Sequence, residues 1–235
     1  MKLLLLLLNA GKLGKLLLTS GTMLISIVAY AWLFGWRYAV GFVGLLFAHE
    51  MGHYIAARQR GLDVGAPTFI PFVGAWIQLK QQPHNAETEA YVGMAGPLVG
   101  TLAALAVFFV ARQQNSQWLL ALAYSGFFLN LFNLIPLSPF DGGRITAVIS
   151  PRLWLVGVPI LIAVFFYHPS PLLIVIAILA APNVVKAWRG IHETEQGYYL
   201  ASTETRFNYG LMYLGLAGFL AVMCDELHRE LPRGF

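Results

Sequence analysis

The chain has 235 residues, of which 58% are hydrophobic and only 11% are Asp, Glu, Lys or Arg. Soluble domains carry about 25% charged residues, so this composition excludes an ordinary water-soluble protein and favours a membrane protein. The net charge of +4 comes without a basic stripe interleaved with aromatic residues, which argues against a nucleic-acid-binding protein. The single cysteine, Cys224, excludes an internal disulfide and a zinc site built from several thiolates.

The first 15 residues begin in the manner of a signal peptide. Lys2 is followed by a short run of leucines, but Lys12 and Lys15 interrupt the apolar stretch that comes next. A small-residue cleavage site does not follow this run directly. We therefore expect residues 1–15 to be retained as an interfacial segment on the cytoplasmic side.

Apolar stretches of near-membrane length follow one another along the chain. A helix that crosses a bilayer needs about 20 mostly apolar residues. Seven stretches approach this length: residues 16–34, 38–57, 91–111, 118–137, 153–167, 171–185 and 208–224. The fifth and sixth are the weakest because they are short and flanked by prolines. The sequence predicts an all-α membrane protein, a polytopic bundle of six or seven transmembrane helices with one re-entrant extended loop.

The distribution of cations predicts the orientation of this bundle. With the N-terminus inside, the inner segments carry 11 of the 15 Lys and Arg residues, including Lys80, and the outer segments carry four, including Arg233. Inner loops of membrane proteins are enriched in Lys and Arg. We expect a multi-pass protein with a cytoplasmic N-terminus, and the compact size suggests a prokaryotic cell membrane.

Residues 63–80 differ from the helical stretches around them. Gly65, Pro67, Pro71 and Gly74 would break a helix, while the β-branched and aromatic content favours an extended or hairpin segment. Non-helical backbone lies at membrane depth only where protein or a polar cavity covers it. Two interpretations stay open here: a re-entrant loop beside a cavity, and an ordinary interfacial loop.

The sequence His49-Glu50-Met51-Gly52-His53 is an H-E-x-x-H motif in the second predicted span. Residues four apart share one face of a helix, so both imidazoles can reach one metal ion with Glu50 beside them as a general base. From the composition, about 0.005 chance matches are expected in a chain of this length. Three ionisable groups at membrane depth are costly, which favours a metal site over histidines satisfied by neighbouring helices.

A catalytic zinc ion usually has three protein ligands and one open position, so a third ligand is required. Asp141 directly follows the fourth span, and Pro136 and Pro139 would end that helix and let the chain turn inward. Gly142 and Gly143 would permit close approach of the backbone to a metal. The alternative is that Asp141 caps the following helix. The need for a third ligand favours coordination.

Three motifs together resemble the site-2 protease family of intramembrane zinc metalloproteases, over roughly residues 40–150. They are the H-E-x-x-H motif, the later N-x-x-P…D-G-G element and the small-residue run GMAGPL at residues 93–98. The resemblance implies that His49, His53 and Asp141 bind one Zn²⁺ ion and that Glu50 is the catalytic glutamate. It also implies that Asn133 lies near the active site and holds the substrate or the oxyanion, although a helix–helix hydrogen bond would equally explain this residue. The loop at residues 63–80 is similar to the family's extended segment beside the active site.

Many members of this family carry a PDZ domain or paired CBS domains, and we expect a compact member without them. The predicted organisation is a single integral membrane domain over residues 1–235, with a catalytic core at about 38–150 and peripheral spans at 16–34 and 151–224. The implied function is hydrolysis of peptide bonds in or near transmembrane segments of membrane-protein substrates in the lipid bilayer. The alternatives are a membrane zinc-binding or transport protein and a catalytically inactive homologue; the oligomeric state stays open.

Overall fold

The computed structural model describes residues 2–72, 74–76 and 81–231, and the side chains of residues 17–72, 74–75 and 81–231. Helices account for most of this part of the chain. Their bounds are α1 Lys2–Phe34, α2 Trp36–Gln59, α3 Ala86–Gln114, α4 Gln117–Asn133, α5 Asp141–Ile149, α6 Trp154–Tyr167, α7 Pro171–Arg189, α8 Glu193–Gln196 and α9 Thr203–Glu230. Single 3₁₀ turns occur at Pro151–Leu153 and Gly197–Tyr199, and the strands β1 Thr68–Ile70 and β2 Gly74–Trp76 form a hairpin.

Four helices in the described ranges are long and apolar enough to cross a membrane, judged by length and composition: Leu17–Phe34, Ala86–Gln114, Pro171–Arg189 and Thr203–Glu230. The α4 helix has 17 residues and α6 has 14, fewer than the about 20 that a full span needs. All seven predicted stretches coincide with helices, so the prediction of an all-α membrane protein is confirmed. The exact number of spans stays a prediction.

Local sequence signals set several helix ends. The Asn85 side chain accepts a hydrogen bond from the Thr88 backbone N–H at 2.8 Å and so begins α3. Asn115 ends that helix in the left-handed conformation, with φ of 49°. The α4 helix ends at Asn133, four residues before the predicted end at residue 137, because the residue before Pro136 is disfavoured in helical conformation.

The β hairpin confirms the prediction of an extended segment within residues 63–80. Its strands pair antiparallel, with Phe69 opposite Ala75. The outer edge of β1 faces α1, where Thr22 Oγ1 accepts the Phe69 N–H at 3.2 Å and Thr19 Oγ1 donates to the Pro67 carbonyl at 2.8 Å. The first helix therefore satisfies backbone groups that an unpaired strand edge would leave open.

Helix α3 lies at the centre of the fold, packed against α2, α4 and α5. It approaches α2 closely because Gly52 lies directly against the Ala95 backbone, where a Cβ atom would clash. A buried apolar cluster joins α3, α4, α5 and α9 around Phe127 and Leu220. A second cluster packs α6 and α7 against the segment between α4 and α5.

Polar contacts at opposite ends join α3 to the C-terminal part of the chain. At one end, Arg112 forms a two-pronged ion pair with Glu230, with Nη2 to Oε2 at 2.6 Å. At the other end, the Tyr198 hydroxyl donates to Glu89 at 2.7 Å, and burial together with the Glu89 charge raises the pKa of Tyr198 well above its ordinary value. The phenol of Tyr198 therefore stays protonated as the donor. Because the start of α3 contacts the segment before α9 and the end of α3 contacts the end of α9, the two helices run in the same direction.

Some sequence-based predictions lie outside the described residues. They concern Met1 of the interfacial segment, Lys80 and Arg233 of the charge distribution, and Val73 with residues 77–80 of the extended segment. The backbone of residues 2–15 continues α1 as a helix. The side chains of residues 2–16 and of Trp76 lie outside the described part as well.

Candidate metal centre

The H-E-x-x-H motif lies in the middle of α2, on the face that is turned into the protein. His49, Glu50 and His53 are exposed by only 3%, 6% and 7%. The four-residue spacing places the two imidazoles one turn apart, with ring centroids separated by 4.8 Å. Both Nε2 atoms point to the same place, 3.1 Å from each other.

Asp141 reaches this place from the other side of the core. One of its carboxylate oxygens, Oδ2, lies 3.1 Å from Nε2 of His49 and 3.1 Å from Nε2 of His53. Asp141 is the first residue of α5, and the N-cap position belongs to Phe140 without a side-chain cap. The alternative interpretation of Asp141 as a helix cap is therefore wrong, because its carboxylate turns inward to the imidazoles.

The segment between α4 and α5 turns sharply because two glycines pack against its backbone. A Cβ atom on Gly142 would overlap the Leu134 and Ile135 carbonyls, and one on Gly143 would overlap the backbone at Leu137. We predicted that these glycines permit close approach of the backbone to a metal. In the structure they pack closely against the backbone of the preceding turn. Trp154 of α6 adds a 2.8 Å hydrogen bond from Nε1 to the Gly143 carbonyl and holds this turn in place.

The hydrogen bonds of the two histidines determine which ring nitrogen carries the proton. Nδ1 of His53 lies 2.7 Å from the Val92 carbonyl, which can only accept, so Nδ1 is protonated. Nδ1 of His49 lies 2.8 Å from Oδ1 of Asn130. The Asn130 amide nitrogen donates to the Gly126 carbonyl at 2.7 Å, so its oxygen faces His49 and accepts. In the neutral form of each ring, Nε2 then carries the lone pair.

With neutral rings, three electron-pair donors thus face one another inside the protein. Their mutual separations of 3.1 Å are close to the about 3.3 Å expected between ligands of a tetrahedral zinc ion at 2.0–2.1 Å. Without a cation, such an arrangement of two lone pairs and a buried carboxylate is unfavourable. The ligand atoms therefore fit a zinc ion, and this is the one such His/Cys/Asp/Glu cluster found within the described residues.

Small residues on α3 make room for the site. A Cβ atom on Gly96 would overlap the His53 imidazole, and one on Gly100 would overlap the Asn130 amide. Gly93 packs on the Cβ atom of Arg144, one turn into α5. Gly93 and Gly96 of the small-residue run therefore let α3 approach α5 and α2, and Gly100, which follows the run, lets it approach α4.

A cavity of about 830 Å³ opens from the cluster. Glu50 lines it beside His49 and His53, as does Asn133 of α4. The Asn133 amide nitrogen donates to the Leu129 carbonyl at 3.0 Å. This hydrogen bond lies within α4 and does not join two helices. The remaining wall is mostly apolar and comes from the hairpin, α1, α2, α4 and α7.

Two residues at this centre were not predicted from the sequence. Asn130 contacts His49 directly, and Arg144 lines the cavity with Nη1 3.7 Å from Oδ1 of Asp141. Asn130 precedes the N-x-x-P element by three residues, and an amide side chain within the apolar stretch 118–137 was the available signal. Arg144 follows the D-G-G element directly, and its position three residues after the predicted ligand Asp141 was the available signal.

Comparison with known proteins matches the segment that carries the H-E-x-x-H motif. Residues 37–117 match Peptidase family M50. The chain is 32% identical over 124 residues to "Putative zinc metalloprotease Rip3" of Mycobacterium tuberculosis, covering 48% of this chain and 31% of that protein. It is 33% identical over 109 residues to "Zinc metalloprotease MJ0392" of Methanocaldococcus jannaschii, covering 44% of this chain and 31% of the relative.

A plant protein shows a shorter similarity. "Probable zinc metalloprotease EGY1, chloroplastic" of Arabidopsis thaliana is 32% identical over 77 residues, covering 31% of this chain and 14% of that protein. The chain spans less than a third of the length of these relatives. The buried cluster of His49, His53 and Asp141 could hold a metal ion, in agreement with the similarity to zinc metalloproteases. Over residues 37–117 the chain is similar to peptidase family M50, the site-2 protease family.

Proposed function

We propose that this chain is an intramembrane zinc endopeptidase that hydrolyses peptide bonds in or near transmembrane segments of membrane proteins. The observation that supports it most directly is the convergence of two imidazole Nε2 atoms and one carboxylate oxygen beside Glu50 at the wall of a cavity. We assign His49, His53 and Asp141 as the metal ligands. Glu50 is the catalytic acid–base group.

The chemistry needs an attacking water, a base and a polarised carbonyl. A zinc ion bound at such a site lowers the pKa of a bound water and polarises the scissile carbonyl. Glu50 takes one proton from the attacking water as the new C–O bond forms, and it delivers that proton to the amine nitrogen as the C–N bond breaks. Asn133, on the same cavity wall, hydrogen-bonds the substrate carbonyl or backbone.

The shape of the cavity suggests how an unwound substrate binds. Phe69 directs its N–H to Thr22 of α1, so its partner Ala75 directs its own N–H and C=O away from β1. Ala75 also lines the cavity. An extended substrate segment therefore pairs with the outer edge of β2, because α1 already occupies the edge of β1.

The wider assignments rest on the same site. The chain acts as a single integral membrane domain over residues 1–235, with the catalytic core at about 38–150. Its N-terminus is cytoplasmic, following the distribution of Lys and Arg, and the membrane is that of a prokaryotic cell. The partners are a transmembrane protein substrate and the lipid bilayer.

Removal and return of the metal tests the proposed activity. In detergent or liposomes, the purified chain is expected to cleave a peptide that contains a transmembrane segment. A zinc chelator should reduce that cleavage to background, because the attacking water then lacks activation. Adding Zn²⁺ back in slight excess should restore the original rate, measured from product bands and mass spectra of the fragments. Mg²⁺ serves as the control and should restore nothing, since it prefers octahedral oxygen sites.

Three results would contradict the proposal. Cleavage that persists in metal-free protein would remove the metal from the mechanism. Zinc binding without cleavage of any transmembrane peptide would favour a zinc-binding protein or an inactive homologue. Zinc movement across liposome membranes, without hydrolysis, would favour the transport alternative.

A further inference from the structure

Asn130 is a buried polar residue in the apolar middle of α4. Its exposed fraction is 1%, and both atoms of its amide group are engaged. The amide nitrogen donates to the Gly126 carbonyl one turn earlier in the same helix at 2.7 Å. The amide oxygen accepts the Nδ1 proton of His49 at 2.8 Å. Asn130 thus joins α4 to α2 at the metal centre.

The direction of these two hydrogen bonds is fixed by chemistry. A backbone carbonyl such as that of Gly126 accepts only, so the Asn130 amide group cannot turn over without placing two acceptors against each other. The amide oxygen therefore always faces His49. It stabilises the form of His49 that has the proton on Nδ1 and the lone pair on Nε2, which lies 3.1 Å from Oδ2 of Asp141.

The surrounding helices leave little freedom to this amide group. Gly100 of α3 lies against it, and a Cβ atom at that position would come within 2.9 Å of Cγ and 2.8 Å of Nδ2 of Asn130. The fixed amide in turn holds the plane of the His49 ring. His53 receives the equivalent support from a backbone carbonyl, that of Val92.

We propose that Asn130 is a positioning residue that acts through His49: it selects the ring tautomer and sets the ring direction needed to bind the metal. This inference deepens the proposed function, because it assigns to α4 a role in the same site. Hydrogen-bonded partners of metal-binding histidines typically contribute about 10–100-fold to metal affinity. The amide supplies the acceptor without adding a charge at membrane depth.

The test compares metal affinity among variants that differ in one hydrogen bond. Asn130→Leu keeps the approximate volume but removes the acceptor, and its Zn²⁺ affinity, from competition with a fluorescent chelator, should fall by about 10–100-fold. Asn130→Asp restores the acceptor for Nδ1 of His49 but loses the donor to the Gly126 carbonyl, so it should recover part of that loss.

Two further measurements separate positioning from general damage. Thr101→Val is the matched control, because Thr101 is a buried side chain that bonds the Pro97 carbonyl of its own helix; its zinc affinity should equal that of the wild type. Gly100→Ala pushes on the Asn130 amide without touching His49 and should weaken zinc binding in the same direction as Asn130→Leu. The Co²⁺ absorption spectrum should change in both weakened variants, which reports ligand geometry independently of cleavage.

Equal zinc affinity and an unchanged Co²⁺ spectrum in Asn130→Leu would overturn this inference. Loss of affinity in Asn130→Leu without any recovery in Asn130→Asp would overturn it as well, because the acceptor would then not be what matters. If Asn130→Leu does not fold, Gly100→Ala takes its place. Loss of zinc affinity in Gly100→Ala supports the inference, and wild-type affinity with an unchanged Co²⁺ spectrum would overturn it. These readouts do not depend on proteolysis, so they distinguish this inference from the proposed peptidase activity.

Discussion

Glu50→Gln is expected to reduce peptide-bond hydrolysis by at least about 10²–10⁴-fold while the chain keeps its zinc, because general acid–base catalysis typically contributes that much. Glutamine has nearly the same shape as glutamate but cannot accept a proton from the attacking water. Glu50 lines the cavity beside the ligand cluster, and it is not itself a member of that cluster. Cleavage of a transmembrane peptide and zinc content by atomic absorption are measured on the same preparations.

The control for this variant is Glu226→Gln, which makes the same chemical change on an exposed part of α9. It should cleave at the wild-type rate and bind the same amount of zinc. Wild-type cleavage by Glu50→Gln would contradict the assigned mechanism. Loss of zinc together with activity in Glu50→Gln would instead make Glu50 a residue of the metal site and contradict its assignment as the base.

Gly96→Ala is expected to remove the metal and with it the activity, although it changes no ligand. The added Cβ atom would overlap three atoms of the His53 imidazole, and that ring is held on its other side by the Val92 carbonyl. The ring must leave its position, so one of the three ligands is lost. The fall in zinc affinity should exceed the about 10–100-fold that loss of an outer hydrogen-bond partner costs.

Gly44→Ala provides the matched comparison for Gly96→Ala. Gly44 lies in the motif helix, and nothing comes within 4 Å of a Cβ atom built there. Alanine is favoured over glycine in helices by up to about 1 kcal/mol, so this variant should be as stable as the wild type and keep its zinc. Equal zinc affinity of Gly96→Ala and Gly44→Ala would show that close packing on His53 does not set the ligand position.

Three of the predicted site residues lie in one helical motif, and local geometry determines their arrangement. The positions of His49, Glu50 and His53 on one face follow from the helical repeat alone. Asp141 is separated from them by more than 80 residues, and it was predicted because zinc chemistry requires a third ligand and because prolines and glycines surround it. The structure places its carboxylate 3.1 Å from both imidazoles.

The contacts that the sequence did not predict depend on how helices pack. Asn130 and Asn133 both lie on α4, and only the rotation of that helix against α2 decides that Asn130 meets His49. The sequence around Gly96 and Gly100 does not indicate which side chains pack against these glycines. Hydrophobic periodicity describes one helix at a time, whereas these residue pairs depend on how two helices pack against each other.

Helix α1 shows the same limit. Residues 16–34 form a peripheral span in the predicted organisation, and the family match begins at residue 37. In the structure, Thr19 and Thr22 bond the hairpin, and Tyr30 both accepts the Phe72 N–H at 3.0 Å and lines the cavity. A row of hydroxyls spaced along one helix face was the available signal, but its partner is a strand edge that only the fold reveals.

The most direct test of the whole account is to locate the metal ion. Anomalous diffraction at the zinc absorption edge, on crystals of the purified chain, should show one ion bound by Nε2 of His49, Nε2 of His53 and a carboxylate oxygen of Asp141. The expected distances are about 2.0–2.1 Å to nitrogen and about 2.0–2.2 Å to oxygen. An ion held elsewhere, or zinc-saturated crystals with these three side chains turned apart, would contradict the account.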